Sequence, residues 1–203
     1  MTLTLTRFGH ACVRLERDGR ILVIDPGIYS EPQALLGADA VLVTHEHFDH
    51  VDRLRLAGLG APVFAPAGAD IPSLPFEPLA VGEEREIAGF RVRAVGGRHA
   101  TLLDDQPVPV NLGYVIDGAV YHPGDSLARP DVPVTTVLIP AGGPWLNLRD
   151  AIGLLRDLAP ANAFPIHDIL LAELGQLAAD RWLASAGVAG YRRLRSGESV
   201  QLD

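Results

Sequence analysis

The segment Val41-Leu42-Val43-Thr44-His45-Glu46-His47-Phe48-Asp49-His50 passes from an apolar stretch straight into four potential metal ligands within six residues. Side chains two apart point to opposite faces of a strand and lie about 200° apart around a helix, so His45 and His47 converge only from an irregular loop. A strand end running into a helix supplies such a loop. A strand over 40–43 and a short helix over about 50–56 would put Asp49 and His50 in the first helical turn, where an acidic side chain suits the helix terminus. The bland alternative is a solvated helix start, but four ligand types packed this closely behind a buried strand point to a metal.

Working outward, three further candidates share one placement. His99 follows an apolar strand ending at Val95 and a Gly96-Gly97 turn, Asp125 follows a strand ending at His122 and Pro123-Gly124, and His167 follows a strand over 163–166. If these strands run in one direction, all the ligands gather at one sheet edge, where strand-end loops form clefts. Five histidines and two carboxylates exceed the needs of one tetrahedral ion and suit two ions, each with an open position. Imidazole and carboxylate without a thiolate select zinc, manganese or iron, and zinc is the default.

The rest of the 203-residue chain is consistent with one α/β domain over 1–203. Glycine and proline are scattered along it, marking many short elements and no linker. Alternating or apolar stretches predict strands over 2–7, 11–16 and 21–24, then at 63–65, a hairpin pair within 83–95, a second hairpin over 112–122, a strand at 136–139 and a last pair ending at 200–202. Helices are expected over about 149–158 and 169–185, the second with an apolar stripe at 170, 171, 174, 177, 178 and 182.

The formal charge is −8 and all 17 basic residues are arginine. The missing lysine excludes a Schiff-base enzyme, a phosphate-loop lysine and a Ser-Lys pair. An acidic chain whose longest basic run is Arg192-Arg193 lacks the footprint of a nucleic-acid binder. The single cysteine, Cys12, reads as a small core residue and excludes an internal disulfide. The start of the chain lacks the pattern of an export signal, and no apolar stretch approaches 18 residues, so a cytoplasmic protein without a membrane span is expected.

The run His45-x-His47-x-Asp49-His50, followed by His99, Gly124-Asp125 and His167, resembles the metal motifs of the metallo-β-lactamase superfamily in their usual order. Asp25-Pro26 is similar to its first motif, so the resemblance covers 25–167. Gly9-His10-Ala11 with Ile24-Asp25-Pro26 further resembles the short bacterial branch of metal-dependent hydrolases that includes the L-ascorbate 6-phosphate lactonase type. The resemblance implies a four-layer αββα sandwich with the metals at one edge. It implies one ion held by His45, His47 and His99, a second by Asp49, His50 and His167, and Asp125 bridging them. Asp25 would brace the ligand loop, with His10 and His122 near the site.

The activity so implied is hydrolysis of a small ester, lactone, amide or phosphodiester. Two ions sharing a water lower its pKa from about 15.7 toward 7, and Asp49 or Asp125 would orient the resulting hydroxide. Arg98, beside His99, and Trp145, in the Gly142-Gly143-Pro144-Trp145 loop, are candidates to meet a small-molecule substrate, with 102–107 as a lid. An iron-containing oxidative enzyme on the same scaffold and a non-catalytic metal-binding or sensing domain are the competing classes. A homo-oligomer is compatible with the composition.

Overall fold

The computed structural model describes residues 2–202. Its first sheet places β1 (Leu3–Arg7), β2 (Val13–Arg17), β3 (Arg20–Ile24), β4 (Ala40–Leu42), β5 (Val63–Pro66) and β6 (Glu77–Leu79) side by side in chain order. The second does the same with β7 (Glu84–Ile87), β8 (Phe90–Gly96), β9 (Leu112–Ile116), β10 (Val120–His122), β11 (Thr136–Pro140), β12 (Asn162–Ile166) and β13 (Gly190–Tyr191). The last strand, β14 (Ser199–Leu202), returns to the first sheet and pairs antiparallel with β1.

Strand periodicity divides the apolar side chains into layers. In β3, Leu22 and Ile24 point between the sheets, where they meet Phe90, Tyr114, Leu138 and Phe164. Val23 points the other way and joins Val41, Val43 and Leu56 under α1 (Arg53–Ala57) and a 3-10 turn at Pro32–Leu35. On the outer face of the second sheet, Val137, Ile139 and Ala163 pack against Ala151 and Leu155 of α2 (Leu148–Leu158) and Leu183 of α3 (Glu173–Ala184). Three apolar clusters thus separate four layers, αββα, as expected.

Two expectations are corrected. The helix after the histidine run begins at Arg53, because the side chain of Asp52 accepts from the backbone N–H of Leu54 and Arg55 and caps it there. Asp49 and His50 therefore lie in the preceding turn, outside the helix. The second correction concerns α3, which starts at Glu173 and turns its expected stripe outward. Leu170, Leu174, Leu177, Ala178 and Trp182 are exposed, while Ala179 and Leu183 are buried. Polar contacts set this rotation: Asp180 receives the Tyr191 hydroxyl at 2.7 Å and the Arg193 guanidinium at 2.7 and 2.8 Å. β6, which pairs parallel to β5, was not foreseen, since Glu77-Pro78-Leu79 carries no alternation to read.

The layering has a direct test. Leu138→Ala, fully buried between the sheets, is expected to cost about 2–5 kcal/mol in urea unfolding. Leu177→Ala on the exposed face of α3 should change stability by less than about 0.5 kcal/mol.

Candidate metal centre

Strand direction brings the site together. β1, β3 and β4 share one direction in the first sheet, and β8, β10, β11 and β12 share one in the second. The segments following these strands carry His10, Asp25, His45 to His50, His99, Asp125, the Gly142–Trp145 loop and His167. The two sheet edges are joined at this point, where the N–H of Leu112 donates to the carbonyl of Thr44 at 2.9 Å and the Tyr114 hydroxyl to that of Val43 at 2.8 Å.

Eight side chains converge there in two groups. One is His45, His47, His99 and Asp125; the other is His10, Asp49, His50 and His167, and in each the donor atoms all lie within 4.8 Å of one another. Asp125 faces both groups: Oδ2 is 3.3 Å from His99 Nε2 and 3.0 Å from His167 Nε2, and Oδ1 is 3.0 Å from His50 Nε2. Donors about 2.0–2.1 Å from one tetrahedral ion stand roughly 3.3 Å apart, so these separations fit a shared cation. Nε2 of His50, His99 and His167 and Oδ1 of Asp125 are buried without a hydrogen-bond partner. Orphaned polar atoms converging on one point match the needs of a metal, and the donor set, imidazole and carboxylate, suits a divalent ion.

The neighbouring groups decide which nitrogen faces inward. Asp25, fully buried, accepts from Thr44 N–H at 2.7 Å, from Thr44 Oγ1 at 2.7 Å and from His50 Nδ1 at 2.7 Å. Thr44 Oγ1, its proton given to Asp25, accepts in turn from His45 Nδ1 at 3.0 Å. His167 Nδ1 donates to the carbonyl of Gly142 at 2.7 Å and His99 Nδ1 to that of Ala100. Each bond occupies Nδ1 and turns Nε2 inward, that of His45 standing 3.0 Å from His47 Nδ1.

Tight backbone approach completes the frame. A Cβ on Gly27 would stand 1.8 Å from the carbonyl oxygen of Asp49, and one on Gly124 would meet Asn111 and Thr44 at 2.4 and 2.7 Å. Asn111 holds the Asp125 loop from both sides, accepting from Asp125 N–H at 2.9 Å and donating to the Pro123 carbonyl at 2.8 Å. Thr44 and Asn111 escaped the sequence reading because lone uncharged residues carry no spacing signal. His122 donates from Nε2 to Ala11 O at 2.8 Å and accepts at Nδ1 from Gly124 N–H at 3.1 Å. Both its nitrogens are occupied, so it fastens β10 to the loop after β1. Cys12 is buried, and burial pushes its thiol far above the usual range, as a core residue requires.

Burial alone would raise Asp125, but the charge of His50 and the imidazoles of His167 and His99 close beside it hold it well below the usual carboxylate range. Asp49 is likewise held low against its burial by the hydrogen bond with His10 and by the nearby His167. Burial pulls His45 well down, while in His50 the nearby Asp125 and Asp25 outweigh burial and push it well up. His167, pulled down by burial, is nonetheless raised to about 9 by the carboxylates of Asp125 and Asp49 beside it.

Beside the first group lies a cavity of about 220 Å³ whose lining includes His47, His99, Leu102, Gln106, Val108 and Trp145. Trp145 reaches the centre itself, its Nε1 donating to Asp125 Oδ2 at 3.1 Å. Leu102, Gln106 and Pro107 of the expected lid line this cavity. Arg98 is exposed and is not part of the lining.

Residues 4–167 match the Beta-lactamase superfamily domain. The chain belongs to the metallo-β-lactamase superfamily. It is 37% identical over 182 residues to Protein Rv0786c of Mycobacterium tuberculosis, covering 84% of this chain and 86% of that protein. A UPF0173 metal-dependent hydrolase of Methanoregula boonei is 31% identical over 186 residues, covering 80% and 81% respectively. Among solved structures, Igni18, a metallo hydrolase from Ignicoccus hospitalis, superposes with a TM-score of 0.75 at 23% identity over 100% of this chain and 99% of its own. Its likeness shows the same sandwich.

Two outcomes follow from this geometry. Asp25→Asn, which keeps shape but weakens the acceptor for His50, should lower zinc affinity by about 10–100-fold in chelator competition. In the metal-free chain, the folded value of His167, about 9, lies above the ordinary 6.5. Its contribution to stability is then complete below pH 6.5 and lost as pH rises through about 9. Urea midpoints should fall over that window, and less steeply in His167→Gln.

Proposed function

We propose that the chain works as a dinuclear metal-dependent hydrolase, its residues forming one domain around a centre for two zinc ions, with manganese or iron as alternatives. The observation that carries this reading is the pair of four-donor groups meeting at Asp125, with Nε2 of His50, His99 and His167 and Oδ1 of Asp125 buried and unpartnered. His45, His47 and His99 would hold one ion, Asp49, His50 and His167 the other, and Asp125 would touch both. When bound, such ions supply Lewis acidity and lower the pKa of water from about 15.7 toward 7.

The chain's own groups complete the reaction. Asp49, partly open to solvent and held as a carboxylate, accepts a hydrogen bond from the attacking water and orients it. Trp145 fixes the Oδ2 atom of Asp125 and walls the cavity with a flat apolar face. The cavity, about 220 Å³, is smaller than the roughly 300–1,000 Å³ typical of drug-sized ligands. A small substrate fits that volume. Neither arginine nor lysine lines it, which favours an uncharged carbonyl centre of an ester, lactone or amide over a phosphodiester. The lactonase-like branch resemblance is compatible with this only for a substrate whose charged end stays outside.

Metal analysis of the purified chain should find two ions per chain. Chelation should abolish hydrolysis of a panel of small esters and lactones, and zinc should restore it. Asp125→Ala should lose at least one ion and reduce kcat/KM by about 100-fold or more. An Asp125→Ala protein with both full metal content and full activity would refute the bridging role.

A further inference from the structure

The reading from motifs leaves His10 beside the centre without a task, yet its surroundings are those of a donor. His10 follows the end of β1, is 1% exposed, and has its Nε2 3.1 Å from Oδ2 of Asp49, the same oxygen that lies 3.5 Å from His167 Nε2 and 3.8 Å from His50 Nε2. The imidazole lies 4.2 Å, centroid to centroid, from that of His167, the two planes tilted by 49°. Its backbone lies in the left-handed region at φ +43°, which only a few per cent of non-glycine residues occupy.

Those surroundings are specific. The carbonyl of His10 accepts from the N–H of His167 at 3.1 Å and from Arg7 at 3.5 Å, and Arg7 also pairs with the buried Asp168 next to His167. Gly9, at φ +90°, lets the turn close against the Tyr29 carbonyl, which a Cβ would approach to 3.0 Å. A strained turn, a backbone bond and a buried ion pair thus lock His10 and His167 together with both rings at Asp49.

Building on the dinuclear reading, we propose that His10 is a fourth protein ligand of the ion held by Asp49, His50 and His167. With His10 in place, that group has four donors without counting Asp125, the complement of a closed zinc site. The group of His45, His47 and His99 has only three besides Asp125, and two of them line the substrate cavity. The open coordination position, and with it the substrate, belongs to the group of His45, His47 and His99.

The test is titration of the metal-free chain with cobalt(II), followed by calorimetry and by the visible spectrum of the bound ion. His10→Gly removes the ring while favouring the left-handed backbone already present. The wild-type chain should bind two cobalt ions. In His10→Gly one ion should bind as before and the other about 100-fold more weakly with a changed absorption band, and added imidazole should restore both. If His10→Gly does not fold, His10→Asn, which also tolerates this conformation, is read in the same way. Two ions bound by either variant with wild-type affinity and spectrum overturn the ligand role alone. Fewer than two ions on the wild-type chain overturn the dinuclear reading and this proposal together.

Discussion

Asp25 sits at the end of β3 with no access to water, and a carboxylate so placed is tolerated only when its oxygens are met by donors. Two of those donors belong to Thr44 and the third is Nδ1 of His50. By accepting them, Asp25 determines where the protons on two imidazoles lie: directly for His50, and through the Thr44 hydroxyl for His45. Both Nε2 atoms are turned inward as a consequence. The positive φ of Asp25, +52°, shows that the backbone bends to bring the carboxylate underneath the histidine run. Removing this one carboxylate would release both rings.

The electrostatics of the cluster point to a cation on independent grounds. The rings of His45 and His50 lie with centroids 4.2 Å apart, yet burial drives one toward the neutral form while Asp125 and Asp25 drive the other toward the charged form. Without a metal, the chain compensates its buried carboxylates by protonating some of the same rings whose lone pairs are aimed at the centre. A divalent ion compensates the carboxylates and uses the lone pairs at once, which resolves the conflict without any rearrangement.

How much of this could be read from residues alone depends on how local the signal was. Most strands, and the clustering of the seven motif residues, were legible, since apolar alternation marks the strands and ligand types recur past their ends, whereas the four-layer order came only through the resemblance. His10 obeys the same rule, following the alternating stretch that forms β1, but a lone histidine has no partner spacing to separate it from an ordinary polar side chain. Asn111 and Thr44 act by single hydrogen bonds across long sequence separations, which leave no periodic trace. The stripe on α3 failed for a different reason. Hydrophobic periodicity identifies a helix face, but the Asp180 contacts with Tyr191 and Arg193 decide which face turns inward.

The division of labour between the two sheets gives the centre a role in holding the sandwich together. The first sheet supplies Asp25, His45, His47, Asp49 and His50, and the loop after β1 adds His10; the second supplies His99, Asp125 and His167. Each four-donor group contains residues from both sheets. Outside the apolar layer, direct ties between the sheets at this edge include the Leu112 to Thr44 backbone bond and the Tyr114 hydroxyl on Val43. An ion bound by both edges cannot be held by either sheet alone, so its binding free energy is available to the closed sandwich and lost when the sheets part. The donors lie in the segments that follow strand ends, and the segment at 102–107, which carries none of them, lines the neighbouring cavity.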